Sequence, residues 1–122
     1  KLTEKAAALL PKMMKRMRHA SERLSQPEPL KGEDVNEKLY HHIAKHSAEY
    51  KQVFEDPENC YWAERTTACL GNLATNYRRR KEMKKLALVM KTYRTVLFLF
   101  HGHVTQRAGP STCAKLEVTL TH

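Results

Sequence analysis

Two imidazoles four residues apart, His42 and His46, followed by the carboxylate of Glu49, make the most metal-like spacing in the chain. On a helix those positions share a face, so both rings could reach one ion and Glu49 could supply a third ligand. A catalytic zinc helix sets a glutamate directly after its first histidine, and here that position is Ile43. Two exposed or half-buried histidines are therefore the default, and neither a metal nor a cofactor is expected. His101 and His103 flank Gly102 in an expected loop and carry a weaker signal.

The second grouping is cationic. Arg78, Arg79, Arg80 and Lys81 run consecutively, with Lys84, Lys85 and Lys91 close behind. Clustered guanidinium and ammonium groups contact phosphates or paired carboxylates and release counterions, so the run is a candidate site for RNA, DNA or another polyanion; a solvated turn surface is the competing reading. Its composition is similar to a nuclear-localisation cluster. No zinc-finger spacing, glycine-rich phosphate loop or aromatic-studded strand pair accompanies it. Nucleic-acid binding through it would thus be directed at the backbone and sensitive to salt.

Catalytic constellations are not found: the chain has no nucleophile elbow, no recognisable carboxylate pair and no nucleotide loop, and it is not expected to be an enzyme. Its three cysteines, Cys60, Cys69 and Cys113, lack close pairing and no secretory segment is visible. A reduced, intracellular protein, cytoplasmic or nuclear, is the expectation. The apolar run Val96 to Phe100 is too short to span a bilayer, so no transmembrane segment is expected.

Helices must position these groups. With four glycines and no strand alternation before residue 112, the chain reads as all-α, built from antiparallel helical hairpins. Its centre is residues 61 to 100. Trp62, Thr66, Cys69, Leu70, Leu73, Ala74 and Tyr77 share one helical face; Met83, Leu86, Ala87, Met90, Tyr93, Leu97 and Phe100 share another. Arg78 to Glu82 is a short connection, which makes the two helices antiparallel neighbours. Upstream, Leu10, Met13, Met14, Met17 and Leu24 form one face of a first helix; Thr3 is a candidate N-cap for a helix kinked at Pro11, but a start at or just before Pro11 is preferred, because proline is tolerated there and disruptive further in. Methionines at this spacing read as core; the alternatives are a targeting presequence, against which Glu4 and Glu22 argue, or a calmodulin-binding helix. Val35, Leu39, Ile43, Tyr50, Val53 and Phe54 mark a second helix that stops before Pro57. The expected helices cover about 10–25, 34–55, 60–79 and 82–101 of a helical domain spanning 1–107, with a proline-containing linker at 25–29 and an irregular or disordered tail over 108–122.

The order of residues in the central hairpin, Leu70-Gly71-Asn72-Leu73-Ala74, then Tyr77, then Leu86-Ala87 and Met90, resembles a tetratricopeptide repeat of the kinesin-light-chain-like variety. It covers about one repeat and departs from the pattern in two places: Leu86 stands at the usual small position, or that position shifts to Ala87, and Lys81 replaces the usual turn glycine. A generic helical hairpin is the competing reading. The resemblance implies a fragment of a tetratricopeptide-like solenoid, an interaction module or scaffold whose first helices line a groove for a peptide or partner helix. It places Asn72 where such an asparagine bonds a peptide backbone, with Asn76 one turn further on. Arg79 and Arg80 would add a preference for acidic ligands. A single repeat is rarely stable alone, which suggests a fragment or an intimate partner, and the start at Lys1 in place of methionine agrees with a fragment or processed product.

Charge is unevenly spread. The total of +9 divides into +5 for residues 1–31, −4 for 32–67 and +8 for 68–122. An acidic middle packed between basic flanks would offset part of their repulsion.

Overall fold

The computed structural model describes residues 1–25 and 34–106. Among them the chain is all-α: α1 (Glu4–Arg23), α2 (Val35–Lys45), α3 (Ser47–Glu55), a single 3-10 turn (Pro57–Asn59), α4 (Cys60–Arg79) and α5 (Met83–Gln106), with no strand. The expected linker after Gln26 and the tail over 108–122 lie outside the described residues.

The first helix starts well before Pro11, the preferred start, and follows the Thr3-capped alternative. Thr3 is its N-cap, with Oγ1 accepting from the Ala6 amide at 3.2 Å, and Pro11 sits inside it. Proline there removes the bond to the Ala7 carbonyl, but Ala7 and Pro11 both lie on the exposed face, where water can serve that oxygen. The buried stripe of Ala6, Met13, Met17 and Ala20 then carries the helix through. Residues 34–55 form two helices in place of one. His46 leaves helical geometry (φ −125, ψ 45) between α2 and α3, although its amide still donates to His42 and its carbonyl accepts from Tyr50. Asp34 caps α2 through the Asn36 amide at 2.8 Å.

α1 runs antiparallel to α2 and α3. The Thr3 amide donates to Gln52 Oε1 at 2.9 Å, and Lys5 lies 4.0 Å from Glu49. At the other end of α1, Arg65 of α4 donates from Nε to the Ser21 hydroxyl (2.7 Å) and from Nη2 to the Ser21 carbonyl (3.2 Å), which also accepts from the Leu24 amide of the cap. The shared core joins Met13 and Met17 to Leu39, Phe54, Leu70 and Tyr77, all essentially excluded from water. Cys69 is buried in this core as a free thiol, and burial pushes it up to about 12. Cys60, the first residue of α4, is buried as well.

The α4–α5 turn is closed by a Schellman motif. The Glu82 amide donates to the Tyr77 carbonyl at 2.9 Å and the Lys81 amide to the Arg78 carbonyl at 3.1 Å, while Lys81 takes φ 58. The left-handed position that glycine would occupy most cheaply is held by lysine. Gly71 of α4 lets α5 come close: a Cβ built there would lie 3.3 Å from Cε1 of Tyr93.

α5 departs from expectation twice. Its buried face centres on Leu86, Val89 and Val96, with Met90, Tyr93 and Phe100 half-buried, whereas Met83 and Ala87 are exposed. It also runs straight through His101-Gly102-His103. His103 is buried, and its Nε2–H donates to the Phe54 carbonyl in the last turn of α3. Asn59 Nδ2 donates to the adjoining Val53 carbonyl at 3.0 Å, so the end of α3 is capped by side chains from two other places in the chain.

Candidate interaction surface

The basic run lies at the tip of the α4–α5 hairpin, and much of its charge is already engaged. Arg80 Nε donates to Glu82 Oε2 at 3.1 Å, and Lys85 Nζ lies 3.7 Å from Glu82 Oε1. Both cations also stand over the Tyr77 ring, 5.5 and 5.8 Å from its centroid. Tyr77 is itself fixed by donating its hydroxyl to Glu37 Oε2 of α2 at 2.5 Å, and burial with that carboxylate nearby raises its pKa. Arg78, Lys81 and Lys84 are exposed at the tip, and Lys91 is exposed about two turns further along α5.

The four residues implied by the repeat resemblance come together on one side of α4. Asn72, Asn76 and Arg79 stand one turn apart in succession, and Arg80 adjoins them. Asn72 is exposed. Asn76 is half-buried, and its Oδ1 accepts from Arg79 Nη2 at 2.6 Å, so these two side chains present a joined donor surface.

The histidines take different roles. His42 Nδ1 lies 2.6 Å from the Tyr50 hydroxyl, and His46 Nδ1 lies 3.6 Å from Glu49 Oε1. The rings of His42 and His46 pack edge to face with centroids 4.8 Å apart, so the two imidazoles and Glu49 lie near one another on this side of α2 and α3. Among the described residues no group of three His, Cys, Asp or Glu side chains is placed to hold a metal ion, and no helix is long and apolar enough to cross a membrane.

A further surface was missed in the sequence. Along α5, Leu88, Thr92, Thr95 and Leu99 recur at four, three and four residues and form one stripe. Thr92, Thr95 and Leu99 face α2 and α3 across a mostly apolar groove of about 100 Å³, floored by Tyr50, Phe54 and Val96. Ala44 and Ser47 keep its far wall low. Leu88 is 56% exposed at one end of the stripe and Phe98 is 77% exposed beside it. The outward side of α5 adds Lys84, Lys91 and Arg94, and the whole helix contains no Asp or Glu. The available signal was the apolar excess of α5: Leu88 and Phe98 fall outside any single buried face, so one helix cannot bury them all within this chain.

No family model, no curated protein and no solved structure matches this chain.

Proposed function

We propose that the chain is a non-catalytic helical interaction module, of helical-repeat type, whose groove beside α5 receives an acidic amphipathic helix from a partner protein. The observation that carries this reading is the uncovered apolar side of α5, with Leu88 and Phe98 in water next to a mostly apolar groove. Large exposed apolar side chains grouped beside a groove are a feature of association surfaces. Lys51 at the groove and Lys84, Lys91 and Arg94 along α5 supply charge of one sign, which complements an acidic partner. The close approach of α4 and α5 at Gly71 and the left-handed turn at Lys81 support the repeat-type reading of the hairpin. In that reading Asn72, Asn76, Arg79 and Arg80 form a second contact face on α4.

Site-specific photo-crosslinking tests the reading. With benzoylphenylalanine at Leu88, crosslinked peptides from cell extract should map to an acidic, helix-forming segment of another protein. The synthetic segment should bind the purified chain by calorimetry and lose binding to Thr95→Arg, which fills the groove. Crosslinks to a second copy of this chain, or to segments without an acidic amphipathic pattern, would overturn the proposal.

A further inference from the structure

A different face of the molecule gathers positive charge where α1 meets α2. Across their antiparallel contact α1 and α2 leave a cleft of about 380 Å³, lined by Lys12 and Arg16 from one helix and Lys38, His41, His42 and Lys45 from the other. The spacing explains the convergence: Lys12 and Arg16 are one turn apart, and the α2 residues span two turns of one face. Every lining side chain is cationic or an imidazole. Among the described residues Lys12, Arg16 and Lys45 have no carboxylate at ion-pair distance, while Glu37 serves Tyr77 and Glu49 serves Lys5 and His46.

His42 reports the local field. Burial first, then the neighbouring His46, Arg16, Lys12 and Lys45, holds its pKa down to about 4, so the ring is neutral at pH 7. Its Nδ1 pairs with the Tyr50 hydroxyl, and its Nε2 is buried with no hydrogen-bond partner among the described residues. Packing two like-charged rows face to face is unfavourable for the bare chain, and a multiply charged anion between them relieves that repulsion.

We propose that this cleft binds a compact small molecule bearing clustered phosphate groups, held between Arg16 and Lys45 and flanked by Lys12, Lys38 and His41. Concavity and charge of a single sign select a compact polyanion. An extended acidic peptide would call for apolar pockets along its length, and the lining offers none. The volume is in the small-molecule range, and guanidinium and ammonium groups approaching from two sides match phosphate oxygens. None of these residues belongs to the α5 groove, so the two proposals stand or fall separately.

The test is calorimetric titration of the full chain with myo-inositol hexakisphosphate, beside inorganic phosphate, at an ionic strength of about 0.15 M. One hexakisphosphate per chain should bind, and Arg16→Gln with Lys45→Gln should weaken it by roughly tenfold or more, as expected for loss of two charge-assisted contacts. Arg79→Gln with Arg80→Gln at the hairpin tip should leave the affinity within about twofold, since neither side chain lines the cleft. The ring resonances of His41 and His42 should shift on titration of the unmutated chain, a readout that holds even where a variant folds poorly. Vesicles containing phosphatidylinositol bisphosphate separate the sources: co-sedimentation lost in the Arg16/Lys45 variant assigns a lipid headgroup, and no co-sedimentation beside intact hexakisphosphate binding assigns a soluble ligand. Unchanged affinity in the cleft variant, equal loss in the tip variant, still His41 and His42 resonances, or tighter binding of single-stranded RNA through the same residues would each overturn it.

Discussion

Replacing Lys81 by glycine should stabilise the chain, because the backbone at this position has a conformation that suits glycine and the side chain does little to compensate. Lys81 is exposed, with φ 58 at the C′ position of the α4 Schellman motif. A residue with a Cβ in the left-handed region costs about 1–2 kcal/mol. Glycine removes that cost but adds freedom to the unfolded chain, worth about 0.4–1 kcal/mol in the opposite direction. The net expectation for Lys81→Gly is a gain of about 0.5–1 kcal/mol, or a rise in Tm of roughly 2–4 °C for a domain of this size. Lys81→Val should lose about 1 kcal/mol, since a branched side chain tolerates positive φ poorly. Lys81→Asn removes the same charge while tolerating the left-handed region, and it should fall between the two. Urea unfolding followed by circular dichroism gives the comparison, provided the slope m is unchanged across the series. If glycine lowers the midpoint, or glycine and valine shift it together, the turn is not left-handed in solution and the account of the hairpin fails.

Three further outcomes follow from particular contacts. His103→Ala should destabilise by about 1–3 kcal/mol, because it leaves the Phe54 carbonyl unpaired at the end of α3, and denaturant midpoints will show whether that loss occurs. At Gly71 alanine should be nearly neutral, its helix propensity gain offset by the 3.3 Å approach to Tyr93, whereas Gly71→Leu should cost about 1–3 kcal/mol by wedging α4 from α5; a stabilising leucine would show that the helices are not in close contact there. His42, with a folded pKa lowered to about 4 from 6.5, contributes stability that is present above pH 6.5 and lost as the pH falls toward 4, since the unfolded chain takes up a proton that the folded chain refuses. Its ring resonances should stay in the neutral form at pH 5.5, and full protonation there would contradict the packing with Tyr50 and the nearby Arg16, Lys12, Lys45 and His46.

What was legible in the sequence was whatever depended on one helix at a time. The α4 face of Trp62, Leu70, Leu73 and Tyr77 follows from spacing alone, and all four side chains are buried. The errors arose where another element overrode a local rule. Pro11 is tolerated because its turn faces solvent while Met13 and Met17 are anchored in the core. His101-Gly102-His103 stays helical because His103 has a carbonyl on α3 to bond, a partner 49 residues away. The centre of the α5 face was misplaced toward Met83 and Ala87 because that helix is apolar on more than one side, so periodicity could not say which side is inward. The convergence of Lys12 and Arg16 on Lys38 and Lys45 was invisible for the same reason: each row alone is an ordinary solvated helix surface, and only the packing of α1 on α2 makes it a cleft.

The two basic regions differ in a way that total charge conceals. An acidic middle segment between basic flanks was expected to neutralise them, and at the hairpin tip the chain does supply its own compensation, with Glu82 between Arg80 and Lys85 and the Tyr77 ring beneath both. In the α1–α2 cleft the middle segment contributes cations, Lys38 and Lys45, while its Glu37 and Glu49 serve other contacts. The bare cleft is thus a source of instability that a bound anion removes. A ligand selective for the folded state stabilises by about 2.7 kcal/mol at a concentration 100-fold above its Kd. Hexakisphosphate should therefore raise the Tm of the unmutated chain and of the Arg79/Arg80 variant alike, and stabilise the Arg16/Lys45 variant by at most about half as much, about 1.4 kcal/mol for a tenfold weaker Kd. The same cleft variant should melt no lower than the parent without ligand, because it removes two of the facing like charges. A large loss of stability in that variant would show that Arg16 or Lys45 holds the fold together, and the electrostatic reading of the cleft would then be wrong.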